Sequence, residues 1–256
     1  MRSGGVMTLS NWAAAMALVV HAGAANAEHA EAAHPWSYEG EHGPKHWGQL
    51  KPEYAACKTG KRQSPIDLGG AKTANLPAID FAYAPVSWRI IDNGHTVQVN
   101  VGPGSSITVE GKRFDLVQFH FHQPSEERIE GRAYAMVTHL VHKSADDKLA
   151  VVAVLMKAGP QNPLIEELWR SMPEDVGQEH EVAGALDLRK LLPAQRGYYR
   201  FTGSLTTPPC SEDVTWLVLK TPVQISQAEQ ASFAARHAHN ARPVQPLNGR
   251  TVEVSR

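Results

Sequence analysis

From Val86 onward the chain is written in short runs that alternate apolar and polar residues or stay apolar for several positions, each closed by Gly, Pro, Asn or Asp. VSWRIIDN, HTVQVNV, SITVE, FDLVQFHFH, AYAMVTHLVHK, LAVVAVLMKA, YYRFTG and VTWLVL all have this form. Period two between turn residues predicts strands, so the chain is expected to be mainly β with a few short helices. Helical pattern is confined to Pro163 to Ser171, opened by Pro at a favoured first-turn position, and Ser226 to Arg236, where Glu229 follows Ser226 as in a capping box. Residues 28 to 69, rich in Gly, Pro, His and Trp, have no sustained period and read as irregular structure packed on the main body. No internal repeat or Gly/Ser-rich linker divides the chain, so residues 28–256 are expected to form a single domain.

The longest apolar stretch, WAAAMALVV at Trp12 to Val20, is far short of the ~20 residues that span a bilayer. It follows Arg2 and leads to Ala25-Asn26-Ala27, a small-x-small site, after which the composition turns polar. Residues 1–27 are therefore expected to be a cleaved signal peptide. The mature chain would be exported, to the periplasm or the medium, without a membrane span. With 25 basic against 26 acidic residues there is no positive field for nucleic acid. Cys57 and Cys210 are the two cysteines; export favours one disulfide between them, a reducing compartment two free buried thiols.

Among 13 histidines, His21, His29, His34, His42, His46 and His180 lie in irregular or leader sequence and read as surface residues. His120 and His122 sit in LVQFHFHQ, and residues two apart on a strand share a face. Gln118 joins that face, while Phe119 and Phe121 cover the other. His139, in AMVTHLVHK beyond a turn around Gly131, reaches the same place if its strand pairs antiparallel with the first. Three neutral imidazoles from two strands make a zinc site with a fourth position open to water. The competing reading is a polar sheet face with exposed histidines. His142 points to the opposite face and reads as structural.

FHFHQPSE, YAMVTHLVH, NGH at Asn93 to His95, QSPI at Gln63 to Ile66, GSLTTPPC at Gly203 to Cys210 and VTW at Val214 to Trp216 together resemble the α-class carbonic anhydrases. The resemblance spans nearly the whole mature chain. It implies a large central twisted, mostly antiparallel mixed sheet, with Zn2+ held by His120, His122 and His139 at the base of a conical cleft. The implied reaction is the reversible hydration of carbon dioxide to bicarbonate and a proton by zinc-hydroxide attack. It further implies His95 as proton shuttle, Thr206 and Glu126 as the pair that orients the nucleophile, and Gln118 as acceptor for His120. Val141, Val151, Leu205, Thr207, Val214 and Trp216 match the substrate pocket, and Tyr38 and Gln98 the residues that order its water. Cys57 and Cys210 match a disulfide of secreted members.

Two positions depart from the pattern. Where the family places a glutamate against the outer nitrogen of the third histidine, this chain has Val137; where the family often has histidine after PSE, it has Glu127. Metal-bound histidines need such an acceptor, so Glu127 is expected to supply the carboxylate that Val137 cannot. Val137 also keeps open a catalytically weakened or silent binding relative, and Glu126 a general zinc hydrolase. A homodimer is compatible with the sequence.

Overall fold

The computed structural model describes residues 35–184 and 186–256; the expected signal peptide and its cleavage site lie outside the described residues. In chain order the strands are β1 (Lys72–Ala74), β2 (Asp80–Ala82), β3 (Trp88–Asp92), β4 (Val97–Val101), β5 (Ser106–Val109), β6 (Lys112–His122), β7 (Arg128–Ile129) and β8 (Arg132–Ala133). They continue with β9 (Met136–Lys143), β10 (Leu149–Ala158), β11 (Glu179–Glu181), β12 (Tyr198–Ser204), β13 (Glu212–Leu219), β14 (Val223–Ile225) and β15 (Glu253–Ser255). The helices are α1 (Trp47–Leu50), α2 (Ala56–Thr59), α3 (Pro163–Arg170) and α4 (Gln227–His237).

One large sheet runs β1-β15-β12-β13-β10-β9-β6-β4-β3-β11, with β14 on β10 and β2-β5 joined to β6. Most pairs are antiparallel; β10 runs parallel to β13 and β14, and β1 to β15, which makes the sheet mixed as expected. Strand β10 is central, and its LAVVAVLMKA run is buried on both faces, hence continuously apolar rather than alternating. Its even-numbered residues, Ala150 to Met156, belong to one core cluster with Phe119, Phe121, Leu140 and Phe233. Its odd-numbered residues, Val151, Ala153 and Leu155, belong to a second cluster with Val137, Val214 and Trp216 on the opposite face.

Strand β6 changes parity partway along. Phe114 and Leu116 face the first cluster, and so do Phe119 and Phe121, which simple alternation forbids. The register against β9 slips between Leu116 and Gln118, leaving Val117 as the extra residue, 46% exposed. This bulge brings Gln118, His120 and His122 onto the face away from the phenylalanines. Without it the imidazoles would enter the apolar core.

Both expected helices form. Asn162 caps α3 by accepting from the Leu164 and Ile165 amides, and Ser226 and Glu229 close a capping box at α4. The N-terminal segment read as irregular contains α1, α2 and two 3-10 turns at Gly40–His42 and Pro52–Tyr54. Each is one turn long, too short for a periodic signal. No helix among the described residues is long and apolar enough to cross a membrane.

Candidate metal centre

Pairing of β6 with β9 sets His120 directly opposite His139 and His122 opposite Val137. One nitrogen from each of His120, His122 and His139 lies within 4.8 Å of the others. The outer nitrogen of each ring is occupied. His120 Nδ1 donates to Gln118 Oε1 at 2.8 Å, and His122 Nδ1 to the Asn240 carbonyl at 2.8 Å. His139 Nε2 is 3.0 and 3.2 Å from the two oxygens of Glu127. A carbonyl can only accept, so His122 carries its proton on Nδ1, and its Nε2 is a buried lone pair without a hydrogen-bond partner. His122 and His139 are fully buried and His120 half-buried, so the group opens on the His120 side.

Three neutral imidazoles with capped outer nitrogens and converging inner ones fit a zinc ion. Electrostatics favours that form at two of them. Burial, with a contribution from His139, pushes His120 down to about 3. Burial and the neighbouring rings hold His122 well below the ordinary range, with the Asn240 carbonyl opposing. At His139 burial also disfavours charge, but Glu127 and Glu126 together outweigh it and the ring sits above its ordinary value.

Glu126 is buried beside these rings, its Oε2 3.5 Å from His122 Nε2 and 3.8 Å from His139 Nδ1. Burial raises its carboxyl to about 7 despite opposing contributions from His139, the Arg242 amide and the Thr206 hydroxyl. The Arg242 amide donates to Glu126 Oε1 at 2.7 Å. The Arg242 guanidinium, itself buried, reaches Gln63 Oε1, the Ser64 carbonyl and the Cys57 carbonyl at 2.9, 2.7 and 3.1 Å. Cys57 is disulfide-bonded to Cys210, whose amide donates to the Thr207 carbonyl at 2.9 Å. The covalent bridge is thus tied to both the Thr206-Thr207 loop and the Glu126 anchor.

Val151, Val214 and Trp216 lie in the second apolar cluster, with Val141 and Leu205 packed against it. The Trp216 ring stands edge-on to His139 at 4.9 Å. Gln98 pairs opposite His120, accepts from Asn93 Nδ2 at 3.3 Å and donates to Asn100 at 2.7 Å. Tyr38 packs edge-on to Trp36 and Trp47, and burial together with the Glu126 charge raises its phenol well above the ordinary range. The His95 ring stacks on Trp36 at 3.6 Å, 9° from parallel. His142 lies on the other face against Tyr83, and His42, His46 and His180 are exposed.

Sequence reasoning missed Asn240, Arg242 and Trp36. The first two lie in HNARPVQPLN, which has no periodicity to flag it, and contact the site partly through backbone atoms. Trp36 stands two residues from Tyr38 in WSYEG, and that proximity was the one available signal.

Residues 42–256 match the family model of eukaryotic-type carbonic anhydrases. A carbonic anhydrase of Klebsiella pneumoniae is 48% identical over 220 residues, covering 85% of this chain and 89% of the relative. One from Pectobacterium carotovorum is 45% identical over 219 residues, covering 85% and 89%. The solved alpha-carbonic anhydrase of Thermovibrio ammonificans, in complex with the inhibitor sulfanilamide, superposes with a TM-score of 0.83 at 45% identity, covering 85% of this chain and 98% of that one. The chain belongs to the alpha, or eukaryotic-type, carbonic anhydrase family of enzymes.

Proposed function

We propose that the protein is an exported zinc enzyme that interconverts carbon dioxide and bicarbonate, with His120 Nε2, His122 Nε2 and His139 Nδ1 as the metal ligands. The observation that carries this reading is the convergence of three imidazoles whose outer nitrogens are all engaged, by Gln118, Asn240 and Glu127. When bound, zinc supplies the Lewis acidity that brings a water molecule's pKa near 7, the known value for carbonic anhydrase.

The remaining roles belong to the chain. Thr206 donates its hydroxyl proton to Glu126, so its oxygen is left to accept, and it holds only a nucleophile that presents an O–H. Val141, Val151, Leu205, Val214 and Trp216, with Thr207 at their edge, exclude water from the face that takes up carbon dioxide. His95 accepts the released proton on its imidazole and passes it to buffer, the general acid–base task for which imidazole is the usual side chain. Tyr38 and Gln98 order the intervening water. Val137 alone pointed to a silent binding relative, and the Glu127 contact with His139 supports the catalytic reading instead. The Cys57–Cys210 disulfide supports export, with residues 1–27 removed and the periplasm as destination in a Gram-negative cell.

Stopped-flow hydration of carbon dioxide by the purified protein tests this. Activity is expected to vanish on treatment with a zinc chelator and to return with one equivalent of zinc. Activity that survives complete metal removal would overturn the reading.

A further inference from the structure

The hairpin turn that carries His95 is held from a distant part of the chain. Asp92 ends β3 and Val97 begins β4, with Asn93 to Thr96 between them. Local hydrogen bonds shape the turn. Asn93 Oδ1 accepts from the His95 and Thr96 amides at 3.0 and 2.9 Å, and Asp92 Oδ1 from the Gly94 amide at 3.0 Å. Gly94, at φ 81°, occupies the left-handed region such a turn requires. These bonds fix the shape of the turn but not its placement on the body of the protein.

Part of its placement comes from Thr96, whose hydroxyl donates to the Phe121 carbonyl at 2.5 Å, from the Gly177 amide on the Asp92 carbonyl at 2.7 Å and from Trp36 stacked on the His95 ring; the rest comes from the end of α4. Asp92 is 2% exposed, and a buried carboxylate is costly unless paired. Its partners arrive from 144 and 145 residues away: Arg236 Nη1 at 3.4 Å and His237 Nε2 at 2.9 Å. Arg236 Nη1 also donates to the Pro173 and Glu174 carbonyls at 2.8 and 3.2 Å. Three residues beyond His237, Asn240 Nδ2 donates to the His95 carbonyl at 3.1 Å and the Phe121 carbonyl at 3.0 Å. The segment Arg236 to Asn240 therefore grips the turn at Asp92 and at His95 itself. The same segment gives the acceptor for the outer nitrogen of His122.

A turn of this shape needs only an acceptor for the Gly94 amide, which an uncharged Asn at position 92 provides. Asp92 Oδ1 accepts from both the Gly94 amide and His237 Nε2, so the oxygen that shapes the turn also joins it to the end of α4. Its effect is directional, because it ties the hairpin tip to a segment whose Asn240 carbonyl accepts from His122 at the metal centre. We propose that the Asp92–His237 pair is a positioning latch that sets where His95 stands as proton carrier. This inference rests on the proposed carrier role of His95.

Carbon dioxide hydration separates the two steps. The turnover number kcat reports proton release to buffer when buffer is dilute, whereas kcat/KM reports the carbon dioxide step, which does not use His95. His237→Ala is expected to lower kcat in dilute buffer about 3- to 10-fold, less than the ~100-fold of His95→Ala, with kcat/KM and zinc content unchanged. Concentrated imidazole buffer should restore kcat in both. His237→Gln, whose amide nitrogen can replace Nε2 as donor, should stay close to the unmodified protein.

If His95→Ala lowers kcat and His237→Ala does not, the latch is overturned and the carrier reading stands. If His95→Ala leaves kcat unchanged, the carrier reading fails and the latch fails with it. A fall in kcat/KM or zinc content matching the fall in kcat would mark the pair as part of the general scaffold and overturn the proposal.

Discussion

His139 and His142 stand three residues apart on one strand, both buried, on opposite faces of the sheet, yet their surroundings drive protonation in opposite directions. Around His142 burial dominates and pushes the ring down to about 4, offset only in part by backbone groups of Ala150 and Leu140. Its side-chain partner is the neutral Tyr83 hydroxyl at 2.9 Å. Around His139 burial is as complete, but Glu127 lies at 3.0 Å and Glu126 at 3.8 Å, and the ring is held above its ordinary value. Burial therefore does not distinguish a metal-binding imidazole from a core one. Between these two rings the difference lies in the polar partner: the Glu127 carboxylate on His139 Nε2 makes that ring a stronger donor at Nδ1, whereas the Tyr83 phenol leaves His142 in a neutral core hydrogen bond.

The largest expected effect breaks the comparison at its strongest point. His139→Ala removes one of three ligands, and the purified protein should lose stoichiometric zinc and fall to the uncatalysed rate. His142→Gln should keep both zinc and activity, because no metal contact involves that face. Elemental analysis with stopped-flow assay checks the pair. Zinc loss in His142→Gln would show that the two faces are not independent.

The next effect is the opposite pH dependence the two rings give to stability in metal-free protein. The folded pKa of His142 lies below its unfolded value, so between the two the unfolded chain binds more protons. Its contribution is present above about pH 6.5 and is lost as pH falls towards 4, to a total of about 3 kcal/mol. The folded pKa of His139 lies above its unfolded value, so its contribution is complete below about pH 6.5 and is lost as pH rises through the folded pKa. Urea unfolding of the metal-free protein and of each His→Gln variant, followed across pH, isolates the two slopes. Slopes of the same sign would contradict the assignment of partners.

The ligand pair was legible because a strand alternates strictly, so HFH had to place two imidazoles on one side. The third ligand required only an antiparallel neighbour, which the turn signal around Gly131 provides. What alternation could not give was the side on which the imidazoles emerge. Counting from Phe114 and Leu116 puts Gln118, His120 and His122 into the core, and the Val117 bulge reverses this. A bulge leaves no residue signature when the extra residue is an ordinary valine. The short strands β1, β2, β11, β14 and β15 were silent for a different reason: at three residues each they are too short for a period to register. Asn240 and Arg242 illustrate a third limit, since their contacts with His122 and Glu126 are made by backbone atoms, whose partners no side-chain pattern encodes.

The smallest effect concerns the carboxylate that separates His139 from His142. Glu127→Gln keeps an acceptor oxygen but removes the charge, and zinc transfer to a chelator should quicken about 10- to 100-fold, or roughly 1.4 to 2.7 kcal/mol. Val137→Glu should not reverse this. Val137 shares the face of His139 but is packed among Leu155, Val214, Trp216 and their neighbours, and its opposite residues are His122 and Leu155. A glutamate added there, with Glu127 still on His139 Nε2, is a surplus buried carboxylate without a donor, and the fold should weaken while zinc release stays at least as fast. Only the exchange of both positions, Glu127→His with Val137→Glu, should return zinc release towards that of the unmodified protein. Slower release in Val137→Glu alone would mean that Glu127 is a poor substitute and that the resemblance between the two arrangements stops at geometry.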